Sequence, residues 1–275
     1  MTLQTDPAYV FGRSSDEYMR LTGQAALIGP MTERLFRDAG ITPGMRVLDV
    51  GSGVGDVALL AARLVGPHGS VVGVDLDGSA LQAARARTGR LGLQNLTFIE
   101  GDVRSAEIGV LRRGGRAARA GLPGRPGRGV RRDRRARPPG WDRRVPGTRP
   151  SPRCALAIVP RGDALGPDRP AVETFARAGT RVRMGRQLHG SYLTAGLPAP
   201  TMREEAIVGG GPGFAGYAWL AGIARSLGPL MDKLEIASTR QLDLDTLAER
   251  VRDDAVARGA VVWGPALIDA YARRP

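Results

Sequence analysis

The chain has 275 residues, a formal net charge of +13, a single cysteine and two histidines. That length suits one large α/β domain or a domain with a small appendage. The lone Cys154 excludes an internal disulfide framework and, with only His68 and His189 to add, argues against a metal site. No apolar run approaches the roughly 18 residues of a membrane span, and the polar start Met1–Asp16 lacks the order of a secretory signal, so a cytoplasmic protein with no membrane partner is expected.

Asp16 to Asp38 carries apolar residues at helical spacing (Tyr18, Leu21, Leu27, Met31, Leu35), and Pro43-Gly44 then turns the chain into a first strand ending at Val50. A helix from Val57 to Val65 opens directly from a glycine loop. Gly66-Pro67-His68-Gly69 leads to a second strand, Val71–Val74. Ser79 is the expected cap of a helix running to about Leu91. Leu96–Glu100 reads as a third strand. This β-α-β-α-β order implies a doubly wound, mostly parallel, Rossmann-like α/β sheet.

From about Val110 the pattern collapses. Leu111–Arg153 holds 15 Arg, 8 Gly, 7 Pro and two acids (Asp133, Asp142), so it alone carries the net charge of the chain. Its few aliphatic side chains cannot repay chain ordering, and disorder is the expectation. Beyond it, Val172–Ala178 reads as a helix and Thr201–Val208 as a strand before the loop Gly209–Gly213. Phe214–Leu227 and Asp243–Ala257 read as helices, and Ala260–Trp263 as a late strand. The organisation expected is a helical lid (1–40), a nucleotide-binding half (41–109), the Arg-rich stretch (110–170) and a substrate-side region (171–275).

The chemistry concentrates where the first three strands end. Gly51, Gly53 and Gly55 let the backbone turn tightly and approach a ligand, and the next helix presents unpaired N–H groups. Asp75 leaves the second strand where a carboxylate can accept two ribose hydroxyls, and Asp102 follows the third strand where an acid can accept from an exocyclic amine. A nicotinamide fingerprint would place its third glycine at position 56, which is Asp56. The loop therefore suits an adenosine ligand without a pyrophosphate better than it suits NAD.

These three motifs, D-V-G-S-G-V-G (Asp49–Gly55), V-V-G-V-D-L-D (Val71–Asp77) and F-I-E-G-D-V (Phe98–Val103), resemble those of class I S-adenosylmethionine-dependent methyltransferases, within the small-molecule and quinone-biosynthesis group. The resemblance implies S-adenosyl-L-methionine as cofactor and a small organic methyl acceptor as partner. It implies that Asp49, Gly51, Ser52, Gly53 and Gly55 line the methionine and ribose side. It further implies that Asp75, with Leu76, binds the ribose, and that Asp102 and Val103 flank the adenine. It names no catalytic residue, because an activated methyl donor asks mainly for positioning and exclusion of water.

Where the family would place a fourth strand, a helix, a glycine turn and a fifth strand, this sequence has the Arg-rich stretch. A one-nucleotide shift of the codons for Leu111–Pro150 permits a strand, a helix, an Arg-Pro-Gly-Gly turn and a second strand, with Trp141 forcing one of the glycines. The hypothesis is a frame shift near Val110, compensated near Asp168–Ala171. Two alternatives stand beside it. One is an inactive remnant, whose first strand would lose its partner on one side. The other is an RNA-binding or RNA-modifying protein using Arg112-Arg113, Arg131-Arg132 and Arg134-Arg135; nucleic acid is not the favoured partner, because Trp141 is the one aromatic in the stretch. His189 with Tyr192, and Arg13 with Tyr18, are further candidates for a substrate-side base and a lid, each with a plain surface alternative.

Overall fold

The computed structural model describes residues 15–103, 117–120, 153–160, 170–177 and 184–274. These divide into two compact units. The first comprises Gly29–Ile158, Leu188–Arg203 and Asp269–Pro275, and the second Met1–Ile28, Val159–Gln187 and Glu204–Ile268.

The first unit is built on a sheet. Helix α1 (Ser15–Asp38) brings its C-terminal half to strand β1 (Arg46–Val50). There follow α2 (Asp56–Val65), β2 (Ser70–Asp75), α3 (Gly78–Arg90) and β3 (Leu96–Glu100), each within two residues of its expected place. β1 pairs in parallel with β2, and β2 with β3. Alternation along the strands separates two faces. Val47, Val71 and Leu96 face α2 and α3, in a core with Leu35, Phe36, Leu59, Val65 and Leu81. Leu48, Val72 and Val74 face the other way, with Val50, Ile99 and Val103 against them. Burying one side chain such as Phe36, 1% exposed, is worth about 2–3 kcal/mol.

One expected detail is corrected. The cap of α3 is Asp77, whose carboxylate accepts from Ser79 N and Ala80 N at 3.0 and 3.2 Å. Ser79 is therefore inside the helix; Asp77 wins because an extended residue one step earlier aims its carboxylate at two free N–H groups.

The Arg-rich stretch departs from its composition at two places. β4 (Ala117–Ala120) pairs in parallel with β1, Arg46 opposite Ala117 and Asp49 opposite Ala120, and β5 (Arg153–Pro160) pairs in parallel with β4. The first strand thus keeps a partner on its second side, contrary to the expectation of a bare edge. A parallel ladder needs only backbone donors and acceptors, which an Ala-Ala-Arg-Ala segment supplies, so its composition gives no warning. The rest of the stretch, with Arg112-Arg113, Arg131-Arg132, Arg134-Arg135 and Trp141, lies outside the described residues, as does Arg13.

Two more elements escaped the sequence reading. α5 (Met184–Thr194) buries Gly185, Leu188 and Tyr192, and with no side chain on the first the apolar stripe is too thin to announce a helix. β9 (Leu267–Arg274) buries Ala270 and Ala272, whose small side chains carry little strand signal. The Tyr192 hydroxyl donates to Ala270 O at 2.9 Å and joins the two. With β6 (Thr201–Glu205) the sheet order is β3-β2-β1-β4-β5-β9-β6. The order reverses at β1, so the switch point of this Rossmann-like sheet lies at the exit of β1, where open α/β sheets bind ligands.

The second unit is mostly helical. α6 (Gly216–Lys233) packs against α4 (Pro170–Arg177), α7 (Thr239–Leu242) and α8 (Leu247–Ala257). The strand expected over Thr201–Val208 is interrupted, and β7 (Val208–Gly210) pairs antiparallel with β8 (Val261–Trp263). Among the described residues, no helix is long and apolar enough to cross a membrane.

Candidate functional site

The glycine loop 51–55 leaves β1 and is held to β2 at three points. Gly51 N and Ser52 N both donate to Val74 O, at 2.8 and 3.1 Å. Gly53 N donates to Asp75 Oδ2 at 2.8 Å, while Asp77 N donates to Asp75 Oδ1 at 2.9 Å. The exit of β3 joins the same corner, Gly101 N donating to Asp75 O at 2.9 Å. Gly55, at φ 86°, is the N-cap of α2 and has no side chain to cap with. An L side chain there would be strained and would also press on its neighbours.

Asp49 supplies the missing cap from below. It is 1% exposed, in a position that continues the apolar face of β1, and its carboxyl accepts the N–H of Ala58 in the first turn of α2. Burial, then the negative charge of Asp75, pushes its pKa up to about 8; the Ala58 N–H opposes and Asp56 adds a little. Asp49 Oδ2 and the buried Ser52 Oγ have no hydrogen-bond partner among the described residues. Such groups cost free energy unless a ligand or water satisfies them.

A basic residue that the sequence reading did not single out closes the far side of the loop. Arg87 on α3 reaches Asp56 Oδ1 at 2.6 Å and donates to Val54 O at 2.7 Å. Burial raises the Asp56 pKa and the Arg87 charge and hydrogen bond hold it back. The i, i+4, i+7 positions Ala80, Ala84 and Arg87 lie near one side of α3, which could have flagged it.

The candidates from the first three motifs therefore fall together at the carboxyl ends of β1, β2 and β3. Leu76, next to Asp75, is 52% exposed, an apolar surface left open beside that carboxylate. Asp102 is half-buried after β3, and Val103 packs with the apolar cluster on the opposite face of the sheet from α2. His189 and Tyr192 do not form a pair: His189 is exposed, whereas Tyr192 is buried with its hydroxyl given to Ala270. The side chains of Tyr18 and Cys154 are outside what is described.

A family model for a methyltransferase domain matches residues 41–110, the span that holds all three strand exits. This segment is similar to class I S-adenosylmethionine-dependent methyltransferases. The chain is 38% identical over 74 residues to a protein-L-isoaspartate O-methyltransferase of Thermotoga maritima, covering 26% of this chain and 23% of that protein. It is 42% identical over 65 residues to a ubiquinone/menaquinone biosynthesis C-methyltransferase of Pseudomonas fluorescens, covering 23% of this chain and 25% of that one. A solved S-adenosylmethionine-dependent methyltransferase from Aquifex aeolicus is 29% identical over 26% of this chain and 39% of its own, with a TM-score of 0.26. The chain thus spans about a quarter of the length of these curated relatives.

Proposed function

We propose that this chain binds S-adenosyl-L-methionine at the ends of β1–β3 and transfers its methyl group to a small organic acceptor. The observation that carries the reading is the pinned glycine loop with two unsatisfied buried groups, one in the loop and one in the strand that leads to it. Asp49 Oδ2 and Ser52 Oγ fit the amino-acid end of the cofactor, which brings an ammonium donor and carboxylate acceptors. Gly51, Gly53 and Gly55 allow close backbone approach. Asp75 already accepts two backbone N–H groups and keeps further lone pairs for ribose hydroxyls. Leu76, Asp102 and Val103 are assigned to the adenine side.

When bound, S-adenosylmethionine supplies a methyl group on a positively charged sulfur, so the protein's task is to align the acceptor and exclude water. Acceptor recognition is assigned to residues 171–275. The quinone-biosynthesis relative supports a small apolar acceptor. The test is calorimetric titration of the purified chain with S-adenosylhomocysteine, followed by methyl-transfer assays on a panel of small phenols, quinols and carboxylates. Saturable one-to-one binding supports the reading, and no binding at millimolar ligand removes it.

A second reading concerns the middle of the chain. The residues that β4 takes up, 117–120, fall within the first strand of the shifted-frame reading, although as written they carry no strand pattern. This supports a coding frame shift near Val110 compensated near Asp168–Ala171, with an ordinary methyltransferase as the corrected product and a weakened or inactive one as the chain written. Resequencing the coding DNA from Glu107 to Ala171 decides it. A base missing at one end and gained at the other supports the shift, and an unchanged sequence removes it.

A further inference from the structure

Asp49, Gly73 and Phe98 stand directly opposite one another across β1, β2 and β3, in one row on the face that carries the glycine loop. The middle member has no side chain, and the Phe98 ring fills the space. A Cβ at Gly73 would lie 2.5 Å from Phe98 Cδ1, 2.6 Å from Cε1 and 2.8 Å from Ser52 Oγ. The far edge of the ring reaches the loop itself: a Cβ at Gly55 would lie 2.9 Å from Phe98 Cζ and 3.1 Å from Ala84 Cβ. The ring thus spans from the second strand to the third glycine of the loop, and it is 9% exposed.

We infer that Phe98 is a positioning residue, its ring setting the height of Gly53–Gly55 above the sheet and thereby the affinity of the loop for the amino-acid end of the cofactor. The inference rests on the proposed function for its ligand but not for its packing. From above, the loop is held by hydrogen bonds to Val74 and Asp75, which fix it along the strands. Those bonds do not stop it sinking toward the sheet where Gly73 leaves a gap. A flat, rigid ring closes that gap, and a flexible aliphatic side chain leaves part of it open.

The experiment compares Phe98→Leu, Gly73→Ala and the double variant of the full chain by two readouts. Amide hydrogen exchange at Gly53 and Gly55 reports the loop without any ligand. Calorimetry with S-adenosylhomocysteine and, separately, adenosine reports binding with and without the amino-acid end. Phe98→Leu is expected to speed loop exchange about tenfold and leave Val71 and Val72 unchanged, because a local opening is affected and not global stability. S-adenosylhomocysteine should weaken about tenfold and adenosine by less than about threefold. Gly73→Ala should do at least as much alone but add little to Phe98→Leu in the double variant, where the ring edge it meets is gone.

Additive effects of the two changes would overturn the inference, since the added methyl would then act through Ser52 Oγ. So would equal losses for both ligands, or exchange that accelerates throughout the sheet. Failure of the unsubstituted chain to bind either ligand would sink the cofactor reading alone, with loop exchange still deciding the role of Phe98.

Discussion

Gly53 donates its backbone N–H to Asp75 Oδ2 at 2.8 Å across 22 positions of chain, so the glycine loop and the exit of the second strand move as one piece. The other oxygen of the same carboxylate takes the N–H of Asp77, the residue that caps α3. A single side chain therefore links loop, strand and helix. The same carboxylate is the one assigned to the ribose, so its structural and binding roles are separable only by substitution.

Asp75→Asn can keep one acceptor but loses charge, and Asp75→Ala loses both bonds. Hydrogen bonds to a charged acceptor contribute about 1.5–3 kcal/mol each at most, less where water competes. The expected outcome is a larger drop in melting temperature for Ala than for Asn, with S-adenosylhomocysteine binding weakened at least about tenfold in both. Binding that survives in the Asn variant would take Asp75 out of the ribose site.

Asp49 makes stability depend on pH in a direction opposite to an ordinary salt-bridged carboxylate. Its proton is held to about 8 in the folded chain and lost near 3.8 once unfolded. Between those values the unfolded chain binds fewer protons, so this group's contribution falls as pH rises, by up to about 1.4 kcal/mol per unit. Asp49→Asn should therefore raise the melting temperature more at pH 8 than at pH 5, as followed by circular dichroism. Equal shifts at both values would mean that the carboxyl is already ionised when folded.

A cation placed against Asp49 favours its ionised form. The affinity for S-adenosylhomocysteine should accordingly rise from about pH 6 to about pH 8, with a proton released on binding. Calorimetry in two buffers of different ionisation enthalpy measures that proton. Asp49→Asn should flatten the profile, and an unaltered slope in that variant would assign the proton to another group.

The Arg87–Asp56 pair is mostly screened from water, with side-chain exposures of 20% and 21%. Arg87→Met leaves Asp56 without its countercharge and Val54 O without a donor, for an expected cost of about 1–3 kcal/mol. Adding Asp56→Asn should recover part of that cost in a double-mutant cycle read by urea denaturation. Lysine at 87 should substitute poorly, because its single nitrogen would have to reach both acceptors, where arginine uses Nη1 for Val54 O and Nη2 for Asp56.

Tyr192→Phe removes one buried hydrogen bond, to Ala270 O, and should cost about 1 kcal/mol with no change in cofactor affinity. His189→Ala, at an exposed position, should change neither. Loss of methyl transfer in the His189 variant alone would restore it as a substrate-side base.

Much of the first half was legible because local rules and tertiary structure agree there. The strand–loop–helix spacing from Arg46 to Glu100 follows from apolar periodicity and glycine placement, and the three acids fall at strand exits by the same logic. Legibility failed where a residue's role depends on what the sheet brings beside it. Nothing near Phe98 in sequence says that its ring faces a glycine 25 positions earlier. Nor does Arg87 show that it will meet Asp56, or Ala117–Ala120 that an open edge awaits them.

By itself, then, the sequence determined the order of the first three strands and two helices, the glycine loop, and which carboxylates end the strands, because these depend on contacts within a few residues. Only the tertiary structure decided that Asp49 is buried and holds its proton, that Gly73 opens a slot for Phe98, and that Asp75 pins the loop. Those properties come from desolvation and from packing across the sheet, and neither exists until distant segments meet.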